Sequence, residues 1–333
     1  MNLIYPSYYP EFCCAASACT DSCCQQWAVV VDEETASRYR ALSGTLGEQL
    51  RQVMQEEDGD IILRLNPDGR CPMWRSDGLC QIQTELGEDA LCHTCREFPR
   101  LRHDYGDFVE LGLELSCPVA AQLILEDRAC TDLCQTLPGG EPPEYDPAMM
   151  ASLQRSRREI LALLKGTRFS VPDALSILLL YGYRVQEELD GAEKAVLDPR
   201  ALLSAAKSLS ACADPASLLS FFGTLEILTP AWQRMLQDPL PGFWTESHRA
   251  LARYFVKRYW LQAISDCDLI SRVKLAVVSC LVVKLLGGDV QKTAQRYSKE
   301  IENDIQNVEA LLDASYTHPA FADIHLLGLL QDV

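Results

Sequence analysis

The chain has 333 residues, a formal charge of −17 and 48% hydrophobic residues. That length allows two domains and a sizeable core, which excludes wholesale disorder. The acidic balance repels phosphate backbones, so nucleic acid is excluded as the main partner and a basic protein surface is favoured.

The first twelve residues mix tyrosine and proline too irregularly for a helix, and they lack the basic and apolar regions of a signal peptide. No run reaches the ~18 apolar residues of a membrane span. The expectation is a cytoplasmic protein with no membrane contact and with reduced thiols. Fifteen cysteines in such a compartment indicate metal or redox chemistry, not disulfides. Twelve lie between Cys13 and Cys134, whereas Cys212, Cys267 and Cys280 sit among apolar residues and read as buried thiols.

In chain order, Cys19–Cys24 reads as a loop and Gln25–Val31 as a short strand or helix start. Residues 32–55 carry an amphipathic pattern, acidic at its start, which predicts a helix broken at Gly44 and Gly47. Ile61–Leu65 predicts a strand entering the Asn66-Pro67-Asp68-Gly69 turn. A brief helix is expected at Ile82–Leu86, a strand at Phe108–Leu115 and a helix at Val119–Glu126. Leu137–Pro147 holds two glycines and four prolines and predicts a linker. Everything beyond it reads as helix: 149–165, 172–190, 199–209, 215–227, 243–264, 268–286, 289–304 and 318–331. Gly287-Gly288 supplies a C-cap between two of these. The fold class is therefore mainly α. A cysteine-rich metal-binding domain with short strands (1–136) is followed by a linker (137–147) and an all-α domain (148–333).

Chemistry concentrates at Cys71–Arg100, CPMWRSDGLCQIQTELGEDALCHTCREFPR, where four cysteines fall within thirty residues. Cys92 and Cys95 have the spacing of a single metal-binding turn. Cys71 and Cys80, with eight intervening residues, and Cys19 and Cys23, with three, do not form zinc knuckles. That irregularity suits an iron–sulfur cluster as well as it suits zinc, and chemistry alone leaves both open. Radical chemistry would need a third cysteine where Gln26 stands, which excludes it. His93 and His103 read as surface residues or as second-shell donors.

Cys19-x-x-x-Cys23-Cys24, Cys71-Pro-x-Trp, Cys80 and Cys95-Arg-x-Phe-Pro resemble a broad family of zinc- or iron-chelating proteins with a CxxCxxCC signature. Within it, YYPEFCC, CxxxCCQQW with Asp32, the Cys71–Arg100 stretch and LSCPVAAQLIL resemble the flagellin lysine N-methylase (FliB) family, across residues 5–126. The resemblance implies methyl transfer from S-adenosylmethionine to lysine side chains of flagellin. It also implies a metal, as a 4Fe-4S cluster or alternatively zinc, at Cys19, Cys23, Cys24, Cys71, Cys80, Cys92, Cys95 and Cys117. Of these, Cys92 and Cys117 match only the narrower family. Cys14, Cys130 and Cys134 match neither and read as bystanders.

Lysine must lose its proton before methylation, so wall and base residues are expected near the cysteine loops. Tyr8, Tyr9, Trp27, Trp74, Asp104 and Tyr105 are the candidates. A glycine-rich adenosyl-binding fingerprint is absent, so either the donor pocket is built unusually, between the helices and the metal domain, or the chain is not an enzyme. The rival readings are a non-catalytic, metal-stabilised adaptor for a lysine-rich partner and a redox protein built on the same metal.

Overall fold

A computed structural model describes residues 1–57, 59–140, 142–210 and 212–331. The chain is mainly α, with a cysteine-rich, strand-containing N-terminal region followed by helices. Strands β1 (Asn2–Pro6), β2 (Val29–Val30), β3 (Met54–Glu57), β4 (Asp60–Leu63), β5 (Arg100–Asp104), β6 (Phe108–Leu113) and β7 (Asp132–Thr136) all lie in the first 136 residues. Between them come helices α1 (Glu33–Ala41), α2 (Gly44–Val53), α3 (Gln81–Leu86), α4 (His93–Glu97) and α5 (Pro118–Glu126). The helical part contains α6 (Pro147–Lys165), α7 (Val171–Leu189), α8 (Pro199–Leu209), α9 (Pro215–Phe222) and α10 (Pro230–Gln237). It continues with α11 (Glu246–Tyr259), α12 (Ile270–Leu286), α13 (Val290–Tyr297), α14 (Ile305–Thr317) and α15 (Asp323–Gln331).

Helix starts follow one local rule. Asp146-Pro147, Asp198-Pro199, Asp214-Pro215 and Thr229-Pro230 each place a capping oxygen before a proline whose missing N–H costs nothing in the first turn. The same rule marks α10, which the expected helices omit. Asp304 caps α14, also omitted, by accepting from the amides of Gln306 and Asn307. The expected helix 32–55 divides at Leu42-Ser43, where Gly44 takes φ +84°, and its last residues become strand β3. The expected helix 289–304 is α13 followed by a π-helical turn, Ser298–Glu302. Gly287 ends α12 at φ +65°, as its C-cap role requires. Cys280 is buried, but Cys212 and Cys267 are exposed because they occupy turns between helices and not helix faces.

Four strands form one sheet in the order β5-β6-β1-β7, with β1 parallel to β6 and the other pairs antiparallel. The register aligns His103, Glu110, Ile4 and Cys134 in one row across it. Glu110 of this row receives the guanidinium of Arg157 from α6, and Asp132 receives Lys257 of α11. The remaining strands make a small antiparallel sheet, β2-β4-β3. Beneath it α1 and α2 bury Ala36, Tyr39, Leu46 and Leu50 with Val29, Leu63, Met73 and Leu91.

The larger core takes in Phe108, Leu113, Leu115 and the buried face of α5 together with α6–α15, centred on the almost wholly buried α12. The proline- and glycine-rich segment after β7 is held at the sheet edge by Met1, whose ammonium donates to Gly139 O at 2.7 Å. Glu141 of the expected linker lies outside the described residues. Among the described residues, no helix is long and apolar enough to cross a membrane.

Buried charges join these layers. Arg258 of α11 pairs with Glu302 at 3.3 Å and with Glu114 at 3.7 Å, and its Nη1 donates to Tyr254. Tyr254 and Tyr259 both donate to Glu302, whose side chain is 1% exposed. Removing one partner of such a pair strands a charge in the core, at a cost of about 3–5 kcal/mol. Glu302→Ala is therefore expected to lower Tm by roughly 4–7 °C for a chain of this size, measured by calorimetry.

Candidate functional site

Six cysteines from four chain segments line one cavity: Cys23 and Cys24, Cys71, Cys80, and Cys92 and Cys95. The backbone assembles them. Cys71 N–H donates to Cys24 O at 2.8 Å, and Gln26 N–H to Gly69 O at 2.7 Å, which ties the 19–26 loop to the 66–71 turn. Trp74 and Cys80 form an isolated bridge that closes the next loop. Cys80 and Cys92 occupy the N-cap positions of α3 and α4, so first-turn amides face their sulfurs.

Asp32 locks this arrangement from outside. Its Oδ1 accepts from Thr35 N at 2.9 Å, capping α1, and its Oδ2 accepts from His93 N at 2.8 Å, capping α4. Thr94 Oγ1 adds a bond to Val30 O at 2.8 Å. The His93 amide is the largest cause that pulls the Asp32 carboxyl down to about 2.

The thiols fall into two hydrogen-bonded pairs and two singles. Within Cys23–Cys24 and Cys92–Cys95 one sulfur shares the other's proton. That bond draws Cys24 and Cys92 each down to about 7 and drives Cys23 and Cys95 up. Burial pushes the Cys71 thiol up to about 12 and raises Cys80. Apart from Thr94 and the Tyr39 hydroxyl the rest of the wall is apolar: Val29, Leu63, Met73, Ile82 and Leu91, with Trp27 and Phe98 at 5.2 Å from each other. Tyr39 hydroxyl donates to Ala90 O at 2.7 Å, and the Phe98–Pro99 peptide is cis.

Among the described residues, no three His, Cys, Asp or Glu side chains stand in a ready coordination geometry. The donor set itself matches a soft metal or an iron–sulfur cluster, since it offers six thiols with no competing amine or carboxylate on the wall. The cavity, about 30 Å³, is far below the ~300 Å³ of an ordinary cofactor pocket.

The other expected residues are dispersed. Cys19 and Cys117 are not in the cavity lining: Cys19 donates to Asp21 O, and Cys117 is buried at the start of α5. Trp27 lines the cavity. Trp74 packs under the Arg70 guanidinium at 4.6 Å, and Tyr9 sits 5.8 Å from Tyr5. Asp104 caps the β5–β6 turn and pairs with Arg102. Together with Tyr105 it lines an open cleft of about 700 Å³ bordered by Met1, Glu144 and Tyr145. Tyr8 lines a third cavity, between the four-stranded sheet and α11.

Sequence reasoning missed Tyr39 and Phe98 as wall residues, and Asp21 as an anchor. Asp21 lies between two cysteines, and its carboxylate accepts from Gln25 at 2.6 Å, Gln295 at 2.8 Å and Lys299 at 3.0 Å. Burial would raise its pKa, but Lys299 and the two amides outweigh burial and hold it below the ordinary value. This clasp fastens the cysteine loop to the helices.

Two lysine-N-methylases, from Salmonella typhimurium and Salmonella choleraesuis, are each 36% identical to this chain over 133 residues. The flagellar biosynthetic protein FliU of Salmonella muenchen is 35% identical over 133 residues, and the match covers 76% of FliU. The chain belongs to the lysine-N-methylase (FliB) family. The match covers 37% of this chain and 32% of each Salmonella lysine-N-methylase, so the chain spans about a third of the length of those relatives. No family model matches the sequence, and no solved structure matches the fold.

Asp32 generates a pH prediction. Its folded pKa lies below the unfolded value of 3.8, so its contribution to stability is complete above about 4 and is lost as pH falls through about 2. Asp32→Ala should cost about 1 kcal/mol at pH 7, as loss of an N-cap does. In urea titrations the gap between variant and parent should close as pH falls from 4 to 2.

Proposed function

We propose that the protein methylates lysine side chains of flagellin, using S-adenosylmethionine as donor. The observation that carries this reading is the identity to the Salmonella lysine-N-methylases together with the six-thiol cavity that the family motifs build. The name of FliU, a flagellar biosynthetic protein, supports a flagellar substrate. The charge of −17 suits an encounter with a lysine-bearing partner. A cytoplasmic setting, where flagellin is met before export, belongs to the same reading.

The donor would supply an electrophilic methyl group on a sulfonium. The chain must then desolvate the lysine, remove its ammonium proton and hold the amine in line for attack. An iron–sulfur cluster, with zinc as the alternative, would be held by four of Cys23, Cys24, Cys71, Cys80, Cys92 and Cys95. Within their pairs Cys24 and Cys92 are the thiols drawn toward the thiolate, the state in which cysteine ligates a metal.

The test of function combines the full chain, labelled donor and flagellin, with lysine mass shifts mapped by peptide mass spectrometry. Incorporation of methyl on flagellin lysines is expected. No incorporation by fully metal-loaded protein would replace this reading with that of an adaptor. A separate prediction concerns the metal: Cys71→Ser and Cys95→Ser should each lower metal content and solubility, measured by elemental analysis. Anaerobically purified protein should show a broad visible absorbance that dithionite bleaches. Colourless protein with stoichiometric zinc would reverse the choice of metal.

A further inference from the structure

The inner face of the four-stranded sheet encloses, with α6 and α11, a partly open cavity of about 60 Å³. Ile4, Pro6, Leu101 and Leu113 make it largely apolar. Its charged groups are all committed to one another. Arg157 is bound to Glu110, Lys257 to Asp132 at 2.5 Å, and Arg258 to Glu302 and Glu114. No cation is left over for an anionic ligand.

One buried polar atom on this wall is uncommitted. His103 Nε2 has no hydrogen-bond partner among the described residues. Its strand position, directly across from Glu110, sets the ring on the cavity face. The groups around it are Glu110 of β6, Asp132 of β7, Arg157 of α6, and Tyr254, Lys257 and Arg258 of α11, with Tyr5 and Tyr8 from the N-terminal segment. Burial chiefly, then Arg258, keeps the imidazole neutral, with Arg157 acting in the same direction and Glu110 against it. A neutral imidazole with a free nitrogen accepts a proton. The matching ligand is an aliphatic stem ending in one group that can surrender a proton.

We propose that this cavity receives the primary alkylamine side chain of the substrate, and that His103 Nε2 is the base that converts its ammonium into the nucleophilic amine. The proposal rests on the lysine-methylation reading and names the acceptor pocket for it. The proton passes from the ammonium to His103, giving imidazolium and free amine. The amine lone pair forms the new N–C bond with the methyl carbon of a sulfonium donor. The C–S bond breaks, and its electrons leave on the thioether. The product leaves as the methylammonium, and His103 releases the single proton of the cycle to solvent before the next turnover. The apolar wall helps, because desolvation disfavours the ammonium over the amine.

Two measurements test this separately from the function itself. Ring resonances of histidine-labelled full-length protein, assigned with His103→Gln, are followed while N-acetyl-lysine methylamide is added. The His103 signals should shift, whereas the norleucine analogue, which lacks the amine, should leave them in place. Equal response to both probes, or to neither, overturns the pocket whether or not flagellin is methylated.

The second measurement is the pH profile of methyl transfer. The parent should be on its plateau by pH 7, and His103→Gln should lose roughly 100-fold or more in kcat with little change in KM. Without the base only free amine reacts, so the variant's rate should climb about tenfold per pH unit toward the lysine pKa. A variant with the parent's profile overturns the role of His103. Should His103→Gln fold poorly, Leu101→Phe fills the cavity from its wall and should abolish the lysine-specific shift while His103 remains. Resonance shifts without methyl transfer by the parent would keep the amine pocket and remove the methylation reading.

Discussion

Three consecutive turns of chemistry depend on one unusual stretch of backbone, the π-helical turn Ser298–Glu302. Within five residues it buries Lys299, Glu300 and Glu302, and each finds its counter-group on a different segment. Lys299 reaches Asp21 of the cysteine loop, Glu300 accepts from Leu228 N and Thr229 Oγ1, and Glu302 holds Arg258. An α-helix would repeat every 3.6 residues and send neighbouring side chains in fixed directions. The wider π turn breaks that repeat, which is why such turns recur at functional sites. Because an unpaired buried charge costs several kcal/mol, these pairings fix how the segments meet.

The clasp of Asp21 by Lys299, Gln295 and Gln25 acts at the join between cysteine loop and helices. Asp21 sits two residues from Cys19 and two from Cys23, so the loop that delivers thiols to the cavity is positioned by α13 and the π turn, not by its own contacts alone. From the same turn Glu302 aligns Arg258, which lines the cavity on the sheet face. Thiol site and sheet cavity therefore share one support, the turn that carries Lys299 and Glu302.

Much of the thiol site was legible because its residues are close in sequence or carry local chemistry. The spacing of Cys92 and Cys95, the Cys23-Cys24 pair and the loop from Cys71 to Cys80 all end on the same cavity. Cys19 and Cys117 share the motifs but not that lining, and motif membership could not separate them. Asp32 stood in the motif without a stated reason. Its two carboxylate oxygens cap two helices sixty residues apart in the chain, a role that only the meeting of α1 and α4 reveals. His103 read as a surface or supporting residue because its worth depends on a strand pairing and two distant helices.

By itself the sequence determined the fold class and most of the helices of the second half, because caps, prolines and a 3.6-residue period act within a few residues of one another. Asp-Pro and Thr-Pro steps mark helix starts wherever they occur, including α10. The tertiary structure alone decided strand β7, whose five residues are all exposed and find their strand identity only beside β1. It also decided the π turn, whose buried Lys299, Glu300 and Glu302 find their partners on segments distant in the chain. The row His103–Glu110–Ile4 belongs to the same class. It joins residues about a hundred positions apart, and long-range register is set by what each strand buries, not by what each residue prefers.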